Sequence, residues 1–413
     1  MEERHALQAA TVDFLLSARG QRALAALADL PLDGADLLPA LTMLRRTLTA
    51  EDAGAAVALA QLRRKAAAKF SQHAAMYFTA TALEQATTGA IAAHRAAWLD
   101  RCAPPGPVLD LGCGIGGDLL ALAQHRPVIA YETDPVCARF AAANAAALGL
   151  ADRVEIRQRD WTADLAAGVL PNVAAAFADP ARRVDGRRVF HLAQLTPPFS
   201  ALLTLCAHVD VLGVKVMPGI ADDEIPAGWG VEFISHTGVC KEAVLWHGAA
   251  VRHPRWATVL AAGAAHTVVA DSAAPPVGPL CAGQVLYEPD PALIRAHALG
   301  LICDRLTAHL FDPQIAYLVA DAHKPEPLAQ AFLVEEMHPF HLGRLNARLR
   351  ALGVAQVELK KRGFPVAPES LRPKLRLAPS GRTATVILTR RGDERLMLIC
   401  RRLSVQGATN QDE

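Results

Sequence analysis

The sequence predicts an α/β protein: a doubly wound parallel sheet, preceded by a helical region and followed by a separate α+β domain. Three observations lead there. Residues 1 to about 95 show only helical spacing, with apolar positions such as Leu37, Leu38, Leu41 and Leu44 recurring three and four apart in an alanine-rich background. From Pro107 onward short apolar strands alternate with amphipathic helices, the order of a parallel sheet covered on both faces. After the Ala/Pro/Gly-rich linker Ala270–Pro279 the elements become mixed. The expected boundaries are a helical domain at 1–95, the sheet domain at 96–275, the α+β domain at 280–403 and a flexible polar tail at 404–413.

Taken in order, the break "APPGP" (Ala103–Pro107) closes the helical region. "PVLDL" reads as a strand followed by a helix at Gly117–Gln124, and "VIAYE" as a strand followed by a helix at Pro135–Leu148. "VEIRQ", "VAAAF" and "VDVLGVKV" continue the strand series, the last preceded by a helix at Pro197–His208. "VEFISHT" and "EAVLWHG" then read as an antiparallel hairpin around Gly238. The last region reads β ("GQVLYEP"), α (Pro291–Leu306), β ("IAYLVAD"), β ("AQAFLVEEM"), α (His341–Leu352), β ("AQVELKKR"), α (Pro368–Leu375), β ("TATVILTR") and β ("RLMLICRR").

With 413 residues, 52% of them apolar, the chain can bury several cores, and wholesale disorder is excluded. The net charge of +1 hides an asymmetry. Between Arg344 and Arg402 fifteen Lys/Arg face four acids, an excess of eleven positive charges on a body carrying ten net negative ones. Such a basic module suits a polyanionic partner. None of the eight cysteines forms a C-x-x-C pair, which speaks for reduced thiols in a cytoplasmic protein without a zinc site. The N-terminal residues lack a signal-peptide layout, and no window of roughly 18 apolar residues predicts a membrane span.

The densest chemistry lies in "VLDLGCGIGGD". Gly112, Gly114, Gly116 and Gly117 follow a strand and open a helix, where glycine lets backbone approach a ligand. Glu132, at the end of the second strand, can accept both hydroxyls of a ribose, so an adenosine-type nucleoside is expected. Gly112, Gly114 and Gly117 satisfy the spacing of a dinucleotide fold, but Asp110 at the strand tip would repel a pyrophosphate. It suits the ammonium, and less directly the sulfonium, of S-adenosyl-L-methionine. Asp160, after the third strand, can reach the adenine amino group.

On "DLGCGIGGD", "AYETDP" and "RDW", the segment from Pro107 to roughly Gly248 resembles the class I S-adenosylmethionine-dependent methyltransferases, with their Rossmann-like sheet. The resemblance implies cofactor contacts from Asp110, Gly112, Gly114, Glu132 and Asp160; Asp134, two residues on, is an alternative to Glu132. "LEQAT", "FADPARR", "KVMPG", "YEPDPALIRA", "IAYLVAD" and "KKRGF" together resemble the subgroup that carries a C-terminal THUMP-like domain, related to a ferredoxin-like fold. Trimethylguanosine synthases look like more distant relatives. The THUMP likeness implies RNA as a partner.

In "FADPARRVDGRR" the step Asp179-Pro180 falls at the end of the fourth strand. Amino methyltransferases of nucleic acids that share this fold often carry Asn/Asp-Pro-Pro-Tyr/Phe there, the first residue bonding the target amine and the last stacking on the base. This chain keeps Asp179 and Pro180 but has Ala181 and Arg182 in the remaining positions. The expected catalytic residues are therefore Asp179 and Pro180, with Arg182 and Arg183 holding a planar or anionic substrate; the plainer alternative is a capping Asp followed by a solvated loop. Lys215, in the apolar run "GVKVMPG", needs an acidic partner or an opening onto the cleft. The aromatic stretch Lys69–Gly89 reads as a stripe packed on the sheet domain, or as a lid. Lys360, Lys361 and Arg362, interleaved with Phe364, suit an RNA backbone and an unstacked base. The expected activity is methyl transfer to a base nitrogen of RNA. The alternatives are a methyltransferase for a small molecule or protein, and a non-catalytic cofactor-dependent RNA-binding module.

Overall fold

The structure, a computed structural model, describes residues 8–404 apart from 182, 185–186, 189–190 and 271–273, with backbone alone at 35, 183–184 and 187–188. The chain forms two compact units, Met1–Val231 with Ala243–Pro254, and Glu232–Glu242 with Arg255–Glu413. The division departs from the linkers read in the composition. The N-terminal helices belong to the same unit as the parallel sheet, and residues 255–269 go with the second unit.

The first unit opens with α1 (Ala9–Leu16), α2 (Ala18–Ala26), α3 (Leu37–Leu44), α4 (Ala50–Ala66), α5 (Ala80–Gln85) and α6 (Gly89–Cys102). Ser17, Thr49 and Thr79 cap α2, α4 and α5 through hydroxyls that accept from Gly20, Asp52 and Ala82 amides, which the first turn leaves without partners. Next come β1 (Val108–Leu111), α7 (Gly117–His125), β2 (Val128–Tyr131), α8 (Pro135–Ala147), β3 (Val154–Arg157), α9 (Trp161–Ala166) and β4 (Ala175–Ala178). A small antiparallel ribbon, β5 (Arg183–Val184) and β6 (Arg187–Arg188), follows β4 and was not read from the sequence. The unit continues with α10 (Phe199–Leu205) and β7 (Val211–Val216); β8 (Gly230–His236) and β9 (Val239–Gly248) are divided, Glu232–Glu242 belonging to the second unit.

Strand β1 pairs in parallel with β2 on one side and β4 on the other; β3 extends the sheet beyond β2 and β7 extends it beyond β4. Residues Ala243–Gly248 of β9 run antiparallel to β7. Every residue of β1, β4 and β7 is buried, which explains their unbroken apolar sequence under a cover on both faces. The chain winds outward from β1 through β2 to β3, then crosses back to β4. The strand order therefore reverses between β1 and β4, the place where open sheets of this kind bind ligands. The aromatic stretch after α4 is core: Phe70, Met76, Tyr77 and Phe78 are all at most 7% exposed. Asn144 of α8 secures it, accepting from Tyr77 N and donating to Tyr77 O and Ile115 O.

The second unit holds a hairpin of β10 (Arg255–Ala261) and β11 (Ala264–Val269), turned at Ala262 and Gly263, both left-handed. Then follow β12 (Val285–Pro289), α11 (Pro291–Arg295), α12 (Leu299–Leu306), β13 (His309–Asp312), β14 (Ile315–Ala320), β15 (Ala329–Pro339), α13 (Leu342–Ala351), β16 (Val354–Lys361), α14 (Pro368–Leu371), β17 (Arg382–Arg391) and β18 (Glu394–Arg402). The helix expected at 291–306 is two helices, because Ala298 N bonds back to Leu293 O and His297 turns left-handed. A strand at 309–312 was also not expected. The seven strands order as β13-β14-β12-β15-β18-β17-β16, and among these neighbours only β16 and β17 run parallel. Alternation along β17 and β18 gives two cores: Ile387, Leu398 and Cys400 on one face, Val386, Leu388, Met397 and Ile399 under α13 on the other. Among the described residues no helix is long and apolar enough to cross a membrane, and no group of side chains could hold a metal ion.

Candidate active site

The turn after β1 is built by its glycines. Gly112, Gly114 and Gly116 all have positive φ, a region that a side chain would strain. At Gly112 a β-carbon would also stand 3.4 Å from the Asp179 carbonyl, so the turn lies against the end of β4. Glu132, at the tip of β2, braces the turn: Oε2 accepts from Gly114 N at 2.7 Å and Oε1 from Asp134 N at 2.8 Å. A carboxylate has about four acceptor positions, which leaves Glu132 capacity for ribose hydroxyls. Asp134 caps α8, accepting from Val136 N and Cys137 N at 2.8 Å. Asp160 caps α9, with Oδ1 committed to Thr162 N and Oγ1.

Asp110 is 1% exposed, and neither carboxylate oxygen has a hydrogen-bond partner. Burial pushes its carboxyl well above the usual range; Asp118 and Asp179 add to the push, Arg95 opposes it, and Glu132 adds further. An ionisable group left unpaired at such depth is costly unless something completes it. Four carboxylates (Asp110, Asp118, Glu132 and Asp179) thus gather around the turn with two described cations, Arg95 and Lys215. The deficit is one of positive charge. It fits the ammonium and sulfonium of S-adenosylmethionine and disfavours a diphosphate.

Asp179, at the end of β4, accepts from Lys215 Nζ at 2.6 Å through Oδ2. Lys215 is 4% exposed and Asp179 30%; the lysine flagged by its apolar surroundings has its acidic partner. Pro180 and Ala181 follow, and Ala181 exchanges two backbone bonds with Thr196, closing the base of the segment that contains the ribbon. Arg182 and the side chain of Arg183 lie outside the described residues.

In the second unit the basic triplet divides. Lys360 pairs with Glu288 at 2.5 Å and Arg362 approaches the same carboxylate at 3.6 Å, whereas Lys361 is exposed. Phe364 is 5% exposed and packs edge-on against Phe340 in the core beneath α13. It is therefore not available to stack on a base, a correction to the sequence reading; the glycine before it turns the chain inward after β16. A different set of basic residues stays open. Asn346 of α13 bonds Lys374 O and Arg376 N, drawing the segment after α14 onto that helix. Arg350, one turn beyond Asn346, and Arg372, Lys374 and Arg376 are exposed and make no ion pair among the described residues. Arg348, Arg382, Arg401 and Arg402, by contrast, are paired to Glu335, Glu336 or Glu358.

Two participants escaped the sequence reading. Arg95, buried in α6, bonds Asp118 and lies over the Phe177 ring at 4.6 Å. Its one sequence signal was a charge inside "AIAAHRAAWL", the same signal that marked Lys215. Asp118 was quoted within the glycine motif but given no role.

Comparison with known proteins places these features. Residues 329–402 match the THUMP domain-like family, and residues 8–66 match a domain of unknown function, DUF8688. Uncharacterized S-adenosylmethionine-dependent methyltransferases from two Mycobacterium tuberculosis strains, CDC 1551 / Oshkosh and ATCC 25618 / H37Rv, are 36% identical over 353 residues, covering 80% of this chain and 91% of theirs. A release factor glutamine methyltransferase of Cereibacter sphaeroides is 46% identical over 63 residues, 14% of this chain and 23% of that one. A crystal structure from Porphyromonas gingivalis W83, designated a methyltransferase, is similar in fold, with a TM-score of 0.67 and 20% identity over 87% of this chain and 92% of that one.

Proposed function

The chain belongs to the S-adenosylmethionine-dependent methyltransferase family, and on that premise we propose that it methylates a base nitrogen of RNA. The observation that carries the choice of RNA is the open basic face of the second unit. There Arg350, Arg372, Lys374 and Arg376 stand exposed without acidic partners among the described residues, whereas Arg348, Arg382, Arg401 and Arg402 are paired to carboxylates. A phosphate backbone is the polyanion such a face would take, and the THUMP domain-like match agrees with it.

S-adenosylmethionine supplies the activated methyl group. Asp110 would hold its ammonium, Glu132 the ribose hydroxyls and Asp160 the adenine amino group, with Gly112, Gly114 and Gly116 admitting the nucleoside against backbone. Asp179 performs the acceptor-side work. Lys215 ties one of its oxygens, which fixes the carboxylate plane and leaves Oδ1 to accept the N–H of the base amine. That bond aims the nitrogen lone pair and receives the proton as the methyl group is gained. Pro180 locks the chain immediately after Asp179, and Arg182 and Arg183 would contact the base plane or an adjacent phosphate.

The test is transfer of label from methyl-labelled cofactor to total RNA of a strain lacking the gene, followed by digestion to nucleosides. A labelled N-methyl nucleoside is expected. Asp179→Ala should lower labelling by about a hundredfold or more while calorimetric affinity for S-adenosylhomocysteine stays within a few fold. Full labelling by that variant would overturn the role of Asp179, and label absent from RNA would overturn the substrate. The short match to a release factor glutamine methyltransferase supports a second reading, a protein amide nitrogen as acceptor at the same carboxylate.

A further inference from the structure

We propose that Arg95, on α6, is a positioning residue for the cofactor site: its guanidinium balances the Asp110 carboxylate so that it meets the ammonium of the amino-acid end of S-adenosylmethionine. Arg95 would do this without touching the cofactor.

Register places the two residues together. Asp110 of β1 is the direct parallel partner of Phe177 of β4, so their side chains project from the same face of the sheet. The Arg95 guanidinium lies over that Phe177 ring at 4.6 Å and acts on the Asp110 charge. It is 2% exposed and is bonded to Asp118, at the start of α7, which is itself 12% exposed. One guanidinium thus serves two carboxylates. It is bonded to Asp118, while both oxygens of Asp110 remain without a hydrogen bond.

Each part of this arrangement has a consequence. Without the guanidinium, Asp110 would face Asp118, Asp179 and Glu132 in a dry site whose other described cation, Lys215, is bonded to Asp179, and a carboxyl in that position keeps its proton. A protonated Asp110 offers an ammonium no charge. Were Arg95 bonded to Asp110 itself, the acceptor positions would already be filled. Asp118 holds the guanidinium and Phe177 supports its plane, so Asp110 is balanced but not occupied. The helix that delivers Arg95 precedes β1, so the N-terminal helical region supplies part of the cofactor site's charge.

Two ligands separate this role from simple packing. S-adenosylhomocysteine carries the amino-acid end, and 5′-methylthioadenosine carries the same adenosine and thioether without it. Calorimetry on the full chain is expected to show that Arg95→Met weakens S-adenosylhomocysteine tenfold or more and 5′-methylthioadenosine by less than threefold. Arg95→Lys, which keeps the charge, should hold the ratio of the two affinities within threefold of the parent. If Arg95→Met does not fold, Arg95→Gln supplies the same comparison, since its amide can still donate to Asp118 but carries no charge. In an Asp110→Asn background the effect of the Arg95 substitution on the ratio should vanish. Equal weakening of both ligands, or an unchanged ratio in the uncharged variants, would overturn the proposal. RNA takes no part in these measurements, so their outcome is separate from that of the acceptor assignment.

Discussion

Asp110 is a buried carboxyl group with neither oxygen hydrogen-bonded. Its raised affinity for a proton has a sign that can be tested. Between the ordinary carboxylate range and the raised value, the folded chain without ligand holds a proton that the unfolded chain has released. Unfolding free energy should therefore fall as pH rises through that window. Asp110→Asn should flatten the fall, as read by chemical denaturation across pH. Over the same window S-adenosylhomocysteine should bind more tightly as pH rises, because its ammonium pairs with the ionised form. At this scale the sequence was informative where spacing carries meaning. Asp110, Glu132 and Asp179 stand at fixed distances from glycines and strand ends, and Lys215 was conspicuous in an apolar run. Arg95 was not legible, because one arginine in an alanine-rich helix reads as a solvated position until a strand partner such as Phe177 is known. Phe364 was misread for the converse reason: adjacent charge suggested exposure, while the left-handed Gly363 turns the chain into the core.

The elements that present the site are joined by single buried contacts. Asn144 connects α8, the glycine turn and the aromatic stretch through three hydrogen bonds. Asn144→Ala would leave the Tyr77 amide and two carbonyls buried without partners, and should cost about 1–3 kcal/mol in denaturant unfolding. On β7, a β-carbon at Gly213 would come within 2.6 Å of the Trp246 ring and 2.9 Å of Phe177. Gly213→Ala should therefore destabilise by roughly 1–3 kcal/mol through overpacking, and by displacing Phe177 should weaken S-adenosylhomocysteine more than 5′-methylthioadenosine. The parallel strands were readable because burial on both faces demands continuous apolar runs. The β10–β11 hairpin was not, because "AAGAA" at its turn carries neither the Asn-Gly nor the Asp-Gly signature and its alanines suit a helix equally. The break between α11 and α12 had no proline or glycine to announce it.

At the scale of the whole chain, positive charge is concentrated in one stretch of the second unit. Residues 344–402 carry an excess of eleven positive charges, while the carboxylate cluster around the glycine turn lies in the first unit. Composition alone disclosed that asymmetry, but the triplet it singled out proved divided, since Glu288, distant in sequence, neutralises Lys360 and Arg362. RNA affinity should fall steeply with salt. Replacing Arg350, Lys374 and Arg376 by Gln should reduce the slope of log affinity against log salt by about 2–3, measured by filter retention, with S-adenosylhomocysteine binding unchanged. Lys360→Gln should alter that slope far less.

The most direct measurement is to give the protein and methyl-labelled cofactor to an extract of a strain lacking the gene, then partition the label among RNA, protein and small molecules. The expected result is label that enters the RNA fraction, is released by nuclease as an N-methyl nucleoside, and is lost with Asp179→Ala. Label confined to the protein or small-molecule fraction would contradict it.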